Sequence, residues 1–361
     1  MKHLTLPRVT VLMPVYNGEK FLREAIESIL NQTFTDFEFL IINDGSTDRS
    51  VEIINSYKDP RIRLVHNERN IGLVPTLNKG LDLSQGQYIS RMDCDDISLP
   101  DRLQKQVAYM DANFDIDICG TWFRHFGKTG ESTFFLPENH EDIKCGLLFY
   151  TPMAHPSIII RKNKLLGNNL YYDPTYNNAE DYELWVRSLE YLKFHNIGKT
   201  LLLYRLHDKQ VGCREYDKQL TSSRRVWKTQ LKNLLITPTE EDLDTHQSLC
   251  TGIFERNENF LTKVEKWLYM LQSANKKLRF YSDMAFEHLI HERWIKSCYK
   301  VYGFSAPCIM RLSSSVIFKE TENKYSIILK FLFISISQKI RSHLFRLPHE
   351  VRFPQKKTCQ K

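Results

Sequence analysis

Three aspartates stand within four positions in the segment "SRMDCDDISLPDR", residues 90–102. Asp93, Asp95 and Asp96 come just after the apolar residues Tyr88 and Ile89, at the place where a buried strand would end. Like charges this close repel each other and raise each other's pKa, so the arrangement costs stability unless a cation or a ligand binds there. This segment is therefore the first candidate for chemistry.

The spacing of Asp93 and Asp95 suits a metal ion. In an extended backbone, residues i and i+2 point to the same side, so both carboxylates can face one cation. Hard oxygen ligands of this kind suit Mg²⁺ or Mn²⁺, which commonly take one or two protein carboxylates and complete their shells with water and substrate phosphates. A solvated acidic loop is the alternative, and the position behind an apolar strand argues against it.

No glycine-rich phosphate loop accompanies these carboxylates. The sequence has no GxxxxGK[ST] motif, and no GxGxxG motif follows the first predicted strand, where a dinucleotide-binding fold would need it. Substrate phosphates would therefore be held mainly through a metal ion.

Composition and charge narrow the class of protein. A chain of 361 residues that is 42% hydrophobic can fill the core of one large domain or of two ordinary ones. Seven Lys or Arg against one Glu in residues 339–361 carry most of the net charge of +7, so no nucleic-acid-binding face is expected elsewhere. The eight cysteines form no CxxC pair and are expected to be reduced thiols. No run approaches the roughly 20 apolar residues of a membrane span, and Val9–Val15 is too short for a signal-peptide core.

Strand and helix patterns alternate on both sides of the aspartates. Short apolar runs predict strands at Val9–Val15, Phe39–Ile42, Ile62–Val65 and Tyr88–Met92. Apolar residues at helical spacing predict helices between these strands, at 21–30, 51–57 and 73–83. This alternation predicts an α/β fold with a parallel sheet and right-handed crossovers.

Polar residues follow each of the four predicted strands. In open α/β sheets ligands bind beyond the carboxyl ends of the strands, so these residues should face one crevice. They are residues 16–17, 43–45, 67–70 and 93–96. Turn formation also explains Asn, Asp and Gly at such places, and it is the favoured interpretation for Asn67 and Asn70.

The pattern stays α/β up to about residue 235 and then becomes helical. After the aspartates we predict a helix with Pro100 at its first position, strands at 116–119, 157–160 and 200–204, and a helix at 181–191. The segment Thr237-Pro238-Thr239-Glu240 predicts a capped helix start, and amphipathic stretches follow at 260–272 and 284–299. Two regions are therefore expected, residues 1–235 and a helical region of residues 236–361.

The ordered motifs of residues 8 to 210 resemble those of the family 2 glycosyltransferases. The matching segments are "VTVLMPVYNGEKFLREAIESILNQTFTDFEFLIINDGSTDRS", "RMDCDDISLPDRLQKQ" and "NNAEDYELWVR". The resemblance implies the GT-A fold, a Rossmann-like, mostly parallel sheet flanked by helices. It also implies inverting transfer of a sugar from a nucleotide-diphosphate donor, with a UDP-sugar expected, to an acceptor hydroxyl. The QxxRW signature of processive members is absent, so one sugar per encounter is expected.

The resemblance assigns a base pocket to the ends of the first two strands. Pro14, Tyr16 and Asn17 would line this pocket. Asp44 would accept a hydrogen bond from the uracil ring.

The metal site follows from the same resemblance. Asp95 would be the principal ligand of Mn²⁺ or Mg²⁺, and Asp93 would lie near the ribose and the metal. His207, in "YRLHDKQVG", would be a third ligand, although a structural histidine at a strand end fits the residue type equally well. Arg91 would balance phosphate charge or form an ordinary salt bridge with the acidic loop.

The acceptor side is assigned to "AEDYELW". The resemblance implies Asp181 as the general base and Glu180 as a substrate-binding residue. Both acids also precede a predicted helix, where negative charge interacts favourably with the helix dipole. The two interpretations are compatible, because the positive helix end would keep Asp181 ionised.

The carboxy-terminal segment has two interpretations. The apolar residues of "IILKFLFISI", 327–336, beside the basic tail suit an interfacial helix on anionic lipid, and the same stripe suits a helix packed on the catalytic domain. A lipid-linked acceptor would favour the first. The expected location is cytoplasmic, with peripheral contact at the inner face of the cell membrane under that first interpretation.

Two other functions fit parts of the sequence. A catalytically silent sugar-nucleotide-binding scaffold would bind a donor without turnover, and the presence of both Asp95 and Asp181 argues against it. A sugar nucleotidyltransferase needs a glycine-rich basic loop after the first strand, and residues 16–19 are not one. The expected function is a metal-dependent hexosyl- or N-acetylhexosaminyl-transferase. Its partners would be a nucleotide-sugar donor and a glycan or lipid-linked acceptor in the assembly of lipopolysaccharide, capsule or O-antigen.

Overall fold

The computed structural model describes residues 6–127, 131–207, 215–253 and 255–319, together with residues 321, 326, 328 and 329. The chain divides into two compact units, Met1–His140 with Pro152–Gln219, and Glu141–Thr151 with Leu220–Lys361. The boundary near residue 235 stays a prediction of where the catalytic domain ends. The basic tail 339–361 and most of the apolar segment 327–336 lie outside the described residues.

A mixed sheet organises the first unit. Its parallel half has the order β3-β2-β1-β4, formed by β1 Val9–Val15, β2 Phe37–Asn43, β3 Ile62–His66 and β4 Tyr88–Arg91. The sheet continues in the order β8-β6-β9-β5, with β7 paired to β6. These strands are β5 Ile97–Ser98, β6 Ile118–Gly127, β7 Ser132–Phe134, β8 Ile159–Arg161 and β9 Phe194–Leu206.

The four strands that precede the predicted polar clusters, β1 to β4, all run parallel to one another. β8 runs antiparallel to both β4 and β6, β9 runs parallel to β6, and β5 runs antiparallel to β9. The carboxyl ends of β1 to β4 therefore lie along one edge. The predicted α/β class and the parallel core are confirmed.

Helices flank the sheet and bury one apolar face each. In α1, Leu22–Leu30, the buried residues recur at helical spacing, as they do in α3, Leu73–Leu83, whose bounds equal the predicted ones. The remaining helices of the first unit are α2 Ser50–Asn55, α4 Arg102–Ala112, α6 Lys162–Gly167 and α7 Glu180–Ser188, whereas α5 His140–Gly146 lies in the second unit except for His140. Burying one such aliphatic side chain stabilises the fold by roughly 1.5–3 kcal/mol.

Some element bounds differ from the sequence prediction. The helix expected to have Pro100 at its first position begins at Arg102 instead, and the Pro100 carbonyl accepts a hydrogen bond from the Thr33 N–H at 2.8 Å. The strand predicted at 200–204 is the end of the longer β9. Its first half, "FHNIGKT", is too polar to be identified as an apolar run.

The described carboxy-terminal region is helical, as predicted. It contains α8 Tyr216–Asn233, α9 Glu240–Thr251, α10 Glu258–Leu278, α11 Asp283–Tyr302 and α12 Ala306–Ser313. The capped start of α9 is confirmed, because the Thr239 side chain accepts from the Asp242 N–H while the Asp242 carboxylate accepts from the Thr239 N–H. Among the described residues, the search for a helix with the length and apolarity of a membrane span gave none.

Candidate active site

The three aspartates form a compact cluster beyond β4. One carboxylate oxygen of each lies within 4.8 Å of the other two. The Asp93 and Asp95 side chains are 28% and 27% exposed, whereas Asp96 is 1% exposed. The cluster is therefore open to a ligand at Asp93 and Asp95 and closed at Asp96.

Charge is incompletely balanced in this cluster. Burial raises the pKa of both Asp93 and Asp96, and repulsion between the carboxylates raises both further. Arg91 pairs with Asp93. Burial opposes the charge on the Arg91 guanidinium, but the neighbouring Asp93 raises the pKa of Arg91, so Arg91 stays protonated. One carboxylate oxygen of Asp96, Oδ2, is buried without a hydrogen-bond partner in the described part of the chain. Oxygen ligands with excess negative charge fit a divalent cation such as Mn²⁺ or Mg²⁺.

Arg205, near the end of β9, holds the aspartate loop in place. Its backbone N–H donates to Asp96 Oδ1 at 2.9 Å, and its Nε donates to the Asp95 carbonyl at 2.7 Å. Its Nη2 pairs with Glu24 at 2.9 Å, and the guanidinium lies over two phenylalanine rings. The sequence interpretation missed Arg205, because the only sign of its role in the sequence is its place near the end of a strand, two positions before His207.

His207 directly follows β9 and reaches the cluster. Its Nε2 lies 2.8 Å from Asp95 Oδ2. The structure thus brings together His207 and Asp95, two of the three side chains that the sequence interpretation placed on one metal ion. An imidazole beside carboxylates suits Mn²⁺.

Helix α7 presents Glu180 and Asp181 at its N-terminus. Asp181 is partly exposed, and its Oδ1 accepts a hydrogen bond from the Tyr182 N–H at 2.7 Å. Glu180 is 7% exposed; burial, together with the charge of Asp181, raises its pKa to about 7. Burial also raises the pKa of Asp181, while Arg91 acts to lower the pKa of both acids. Both carboxylates are therefore within electrostatic reach of the Arg91 charge.

A buried tyrosine–histidine pair supports this region, and the sequence interpretation gave it no role. The Tyr172 hydroxyl and His155 Nε2 are 2.8 Å apart. Burial lowers the pKa of His155 well below its ordinary value and raises that of Tyr172, so both are neutral at pH 7. Asn78 fixes the Tyr172 backbone through its amide group, with both hydrogen bonds at 2.9 Å. The pair is an uncharged support beside Arg91.

Asp44 follows β2 and is held by the loop of residues 67–72. Its Oδ1 accepts from Asn67 Nδ2 at 2.8 Å and from the Ile71 N–H at 3.0 Å, and its Oδ2 accepts from the Gly72 N–H at 3.0 Å. The next residue, Gly45, has φ of +67° and a backbone that lies against this loop. The loop therefore fixes the direction of a 4% exposed carboxylate.

The other residues assigned to the base pocket have different environments. Pro14 is buried within β1, whereas Tyr16 is 49% exposed just after it. Asn17 has φ of +50°, and its Oδ1 accepts from the Thr47 N–H at 2.8 Å, which ties the loop after β1 to the loop after β2. A Cβ atom on Gly18 would lie 3.1 Å from the sulfur of Cys94, so the loop after β1 also touches the aspartate loop.

Comparison with known proteins identifies the family. The family model described as "Glycosyl transferase family 2" matches residues 10–170. The uncharacterized glycosyltransferase MJ1057 of Methanocaldococcus jannaschii is 38% identical over 236 residues, which are 63% of this chain and 80% of that protein. The chain belongs to glycosyl transferase family 2. WbnJ of Escherichia coli, an O-antigen biosynthesis glycosyltransferase, is 35% identical over 56% of this chain and 82% of its own length.

Solved structures agree with the fold of this family 2 glycosyltransferase. The crystal structure of Staphylococcus aureus TarS 1–349 with UDP-GlcNAc matches with a TM-score of 0.53 and 18% identity, covering 81% of this chain and 86% of that chain. The likeness confirms the predicted GT-A fold, with its mostly parallel sheet flanked by helices.

Proposed function

We propose that this family 2 glycosyltransferase transfers a sugar from a nucleotide-diphosphate donor to an acceptor hydroxyl, with inversion at the anomeric carbon. One observation carries the proposal: Arg91 lies within electrostatic reach of two separate groups of carboxylates, the cluster of Asp93 to Asp96 and the pair Glu180 and Asp181. One group can hold a cation and the diphosphate, and the other can accept a proton. Inverting transfer needs both.

The donor is proposed to be a UDP-sugar that carries a hexosyl or N-acetylhexosaminyl group. Asp44 offers carboxylate oxygens that can accept from a base N–H, and the exposed ring of Tyr16 offers a surface for stacking. Pro14 and Asn17 shape the same end of the sheet. TarS, which shares the fold, was crystallised with UDP-GlcNAc, and this supports the choice of base.

Asp95, Asp93 and His207 are the proposed ligands of Mn²⁺ or Mg²⁺. Their fit rests on the carboxylate separation, on the short distance between His207 and Asp95, and on the repulsion between the carboxylates, which contributes to the raised pKa of Asp93. When bound, the ion would act as a Lewis acid that stabilises negative charge on the departing diphosphate. Arg91 adds a fixed positive charge beside Asp93.

Asp181 is the proposed general base. Its carboxylate would take the proton of the acceptor hydroxyl while the hydroxyl oxygen bonds to the anomeric carbon and the bond from that carbon to the diphosphate breaks. Because burial raises the pKa of Asp181, the transfer rate should increase with pH until this group has lost its proton. Glu180, which is buried next to it, is the proposed second contact to the substrate.

The proposed acceptor is a glycan or a lipid-linked sugar in the assembly of a bacterial surface glycan. WbnJ, a relative that is similar over most of its own length, is named for O-antigen biosynthesis. A lipid-linked acceptor would lie at the inner face of the cell membrane, so the proposed location is cytoplasmic with peripheral membrane contact.

The test is calorimetric titration of the purified protein with UDP-, GDP- and dTDP-sugars, first with Mn²⁺ and then with EDTA. We expect one donor to bind in a metal-dependent way. Asp95→Ala should abolish that binding, whereas Asp36→Ala, which removes an exposed carboxylate before β2, should leave it unchanged. Asp181→Asn should bind the donor normally and lose transfer.

For each expected result, a specific contrary outcome would count against the proposal. Unchanged affinity of Asp95→Ala for UDP with Mn²⁺ would remove this residue from the metal site. Substantial transfer by Asp181→Asn would show that another group is the base. Failure of every donor to bind the wild-type protein would contradict the proposed function, whereas donor binding without any transfer would favour the sugar-nucleotide-binding scaffold.

A further inference from the structure

We propose that Arg102 is a buried positive charge that weakens the binding of a free divalent cation to the site and strengthens the binding of a diphosphate together with that cation. This inference rests on the proposed function, in which Asp93 and Asp95 hold the cation and the cation holds the diphosphate of the donor. Arg102 is fully buried, so it would act on both ligands through its charge and not by contact.

Hydrogen bonds hold the Arg102 side chain at the end of β4, next to the aspartates. Its Nη1 donates to the Arg91 carbonyl at 3.3 Å and to the Pro156 carbonyl at 2.9 Å. Its Nε donates to Ser98 Oγ at 2.7 Å. Because Arg91 stands two positions before Asp93, these bonds fix the guanidinium close to the loop that carries the carboxylates.

The Arg102 guanidinium forms no salt bridge with a carboxylate of the described residues. Its hydrogen-bond acceptors are neutral oxygens, and its Nη2 lies 3.8 Å from the neutral Met92 sulfur. Burial lowers the pKa of Arg102 to about 10, so the group stays protonated at pH 7. The charge of Asp96 acts to raise this pKa, which shows that Arg102 interacts electrostatically with the aspartates.

Two further features oppose a positive charge at this place. Arg91, which is also buried and protonated, acts to lower the pKa of Arg102. Arg102 is also the first residue of α4, and the positive end of a helix dipole disfavours a cation. Hydrogen bonds to neutral oxygens need only N–H donors, so they do not by themselves require a buried charge.

The charge of Arg102 has opposite effects on the two proposed ligands. It repels a divalent cation at Asp93 and Asp95, and it attracts the negative diphosphate that this cation would hold. Even if Mn²⁺ displaces one proton from the carboxylates, it still adds positive charge near Arg102. At an effective dielectric constant of about 20, unit charges roughly 10 Å apart interact strongly enough to change an affinity by about tenfold. Arg102 therefore favours a cation that binds with the nucleotide over a cation that binds alone.

A purely structural role for Arg102 makes a different prediction. Its hydrogen bonds join the end of β4 to the turn His155–Ser157, and their loss alone would disturb the loop of the aspartates. Both affinities would then fall together. If the charge is what matters, its removal makes Mn²⁺ alone bind more tightly and makes UDP bind more weakly.

The test measures two affinities of the wild type and of Arg102→Gln at pH 7. Electron paramagnetic resonance of the free ion follows the binding of Mn²⁺ alone, and calorimetry follows the binding of UDP in excess Mn²⁺. Arg102→Gln should bind Mn²⁺ at least about threefold more tightly, and UDP at least about threefold more weakly, than the wild type does. Thermal unfolding of each variant shows whether it is folded at the temperature of the titrations.

Two further variants separate charge from structure. Arg102→Lys keeps a cationic side chain but loses the planar fork of donors, so both of its affinities should stay within about twofold of the wild type. The matched control is Arg161→Gln, because Arg161 is also a buried arginine and donates to the Ile116 and Met110 carbonyls. Arg161 pairs with Tyr88 at the opposite end of β4 from the aspartates. Arg161→Gln should therefore lower Tm and leave both affinities unchanged.

The outcomes separate this inference from the proposed function. If the wild type does not bind UDP in the presence of Mn²⁺, the proposed metal site is wrong and the inference fails with it. If the wild type binds UDP but the two affinities of folded Arg102→Gln do not move in opposite directions, the inference alone is overturned. If Arg102→Gln does not fold, Arg102→Lys decides. Weaker binding of both ligands by that variant would overturn the role of the charge, and retained binding of both would support it.

Discussion

Glu180→Gln should stabilise the metal-free protein at pH 8 and leave it unchanged near pH 4. Burial and the charge of Asp181 raise the pKa of Glu180 from 4.5 to about 7. The folded state therefore binds a proton more tightly than the unfolded state between these values. Stability from this group is present below pH 4.5 and is lost as the pH rises through 7. Because a glutamine side chain is neutral at every pH, the substituted protein keeps this stability at pH 8.

The magnitude follows from the same pKa values. One pKa unit corresponds to about 1.4 kcal/mol, so the rise for Glu180 corresponds to about 3 kcal/mol of unfolding free energy at pH 8. Glu180 is 7% exposed, and solvent therefore screens this effect little. The pKa of Glu180 already includes the interaction of its charge with the first turn of α7, so the gain at pH 8 should be about 3 kcal/mol.

Scanning calorimetry in EDTA at several values between pH 4 and pH 8 measures this difference. For a unit of about 200 residues, each kcal/mol moves Tm by about 2–4 °C, so a gain of about 5 °C or more is expected at pH 8. The control is Glu183→Gln on the same helix, which breaks the pair with Arg187 and should cost a few tenths of a kcal/mol at most. A Glu180→Gln difference that is the same at pH 5 and pH 8 would refute the reasoning, because Glu180 would then ionise normally in the folded protein.

Two further substitutions test how the loops of the site are held. Gly45→Ala should lower the unfolding free energy by more than about 1–2 kcal/mol, which is roughly the strain of a positive φ alone, because the added Cβ would also lie 2.5 Å from backbone atoms. The control is Gly167→Ala, whose Cβ would have nothing within 4 Å and which should be neutral in the same denaturation assay. Arg205→Met should cost about 1–3 kcal/mol and weaken Mn²⁺-dependent UDP binding in calorimetry, because the Asp95 carbonyl loses the hydrogen bond that the Arg205 side chain donates. The control is Arg49→Met, which breaks the exposed salt bridge between Arg49 and Glu52 and should change neither the unfolding free energy nor UDP binding measurably.

Local patterns in the sequence predict the parallel half of the sheet well. β1 and β2 are short apolar runs, and every residue in them is buried, as expected for parallel strands covered on both faces. Because their bounds were predicted within a residue or two, the positions of Asp44 and the aspartate cluster at the strand ends followed directly. The rule that ligands bind at this edge then indicated the site.

The contacts of the site depend on long-range pairing and could not be read from local patterns. Arg205 reaches Asp96 across 109 residues, and it does so because β9 pairs with β5 beside the aspartate loop. Asn67 and Asn70 show the same limit within one loop. Asn70 accepts from the Gly72 N–H at 2.9 Å, which is the turn contact its residue type predicts, whereas Asn67 bridges Lys79 and Asp44.

The aspartate cluster is kept in the fold even though burial and mutual repulsion oppose its charge. Asp96 is buried, and one of its oxygens has no hydrogen-bond partner among the described residues. The pKa values of Asp93, Asp96, Glu180 and Asp181 are all raised, so the folded protein holds protons that the unfolded chain would release. A divalent cation that binds the ionised cluster reverses this preference. Added Mn²⁺ should therefore stabilise the protein more at pH 8 than at pH 5. In the proposed metal site, the cation would supply the positive charge that offsets the repulsion among the carboxylates at the end of β4.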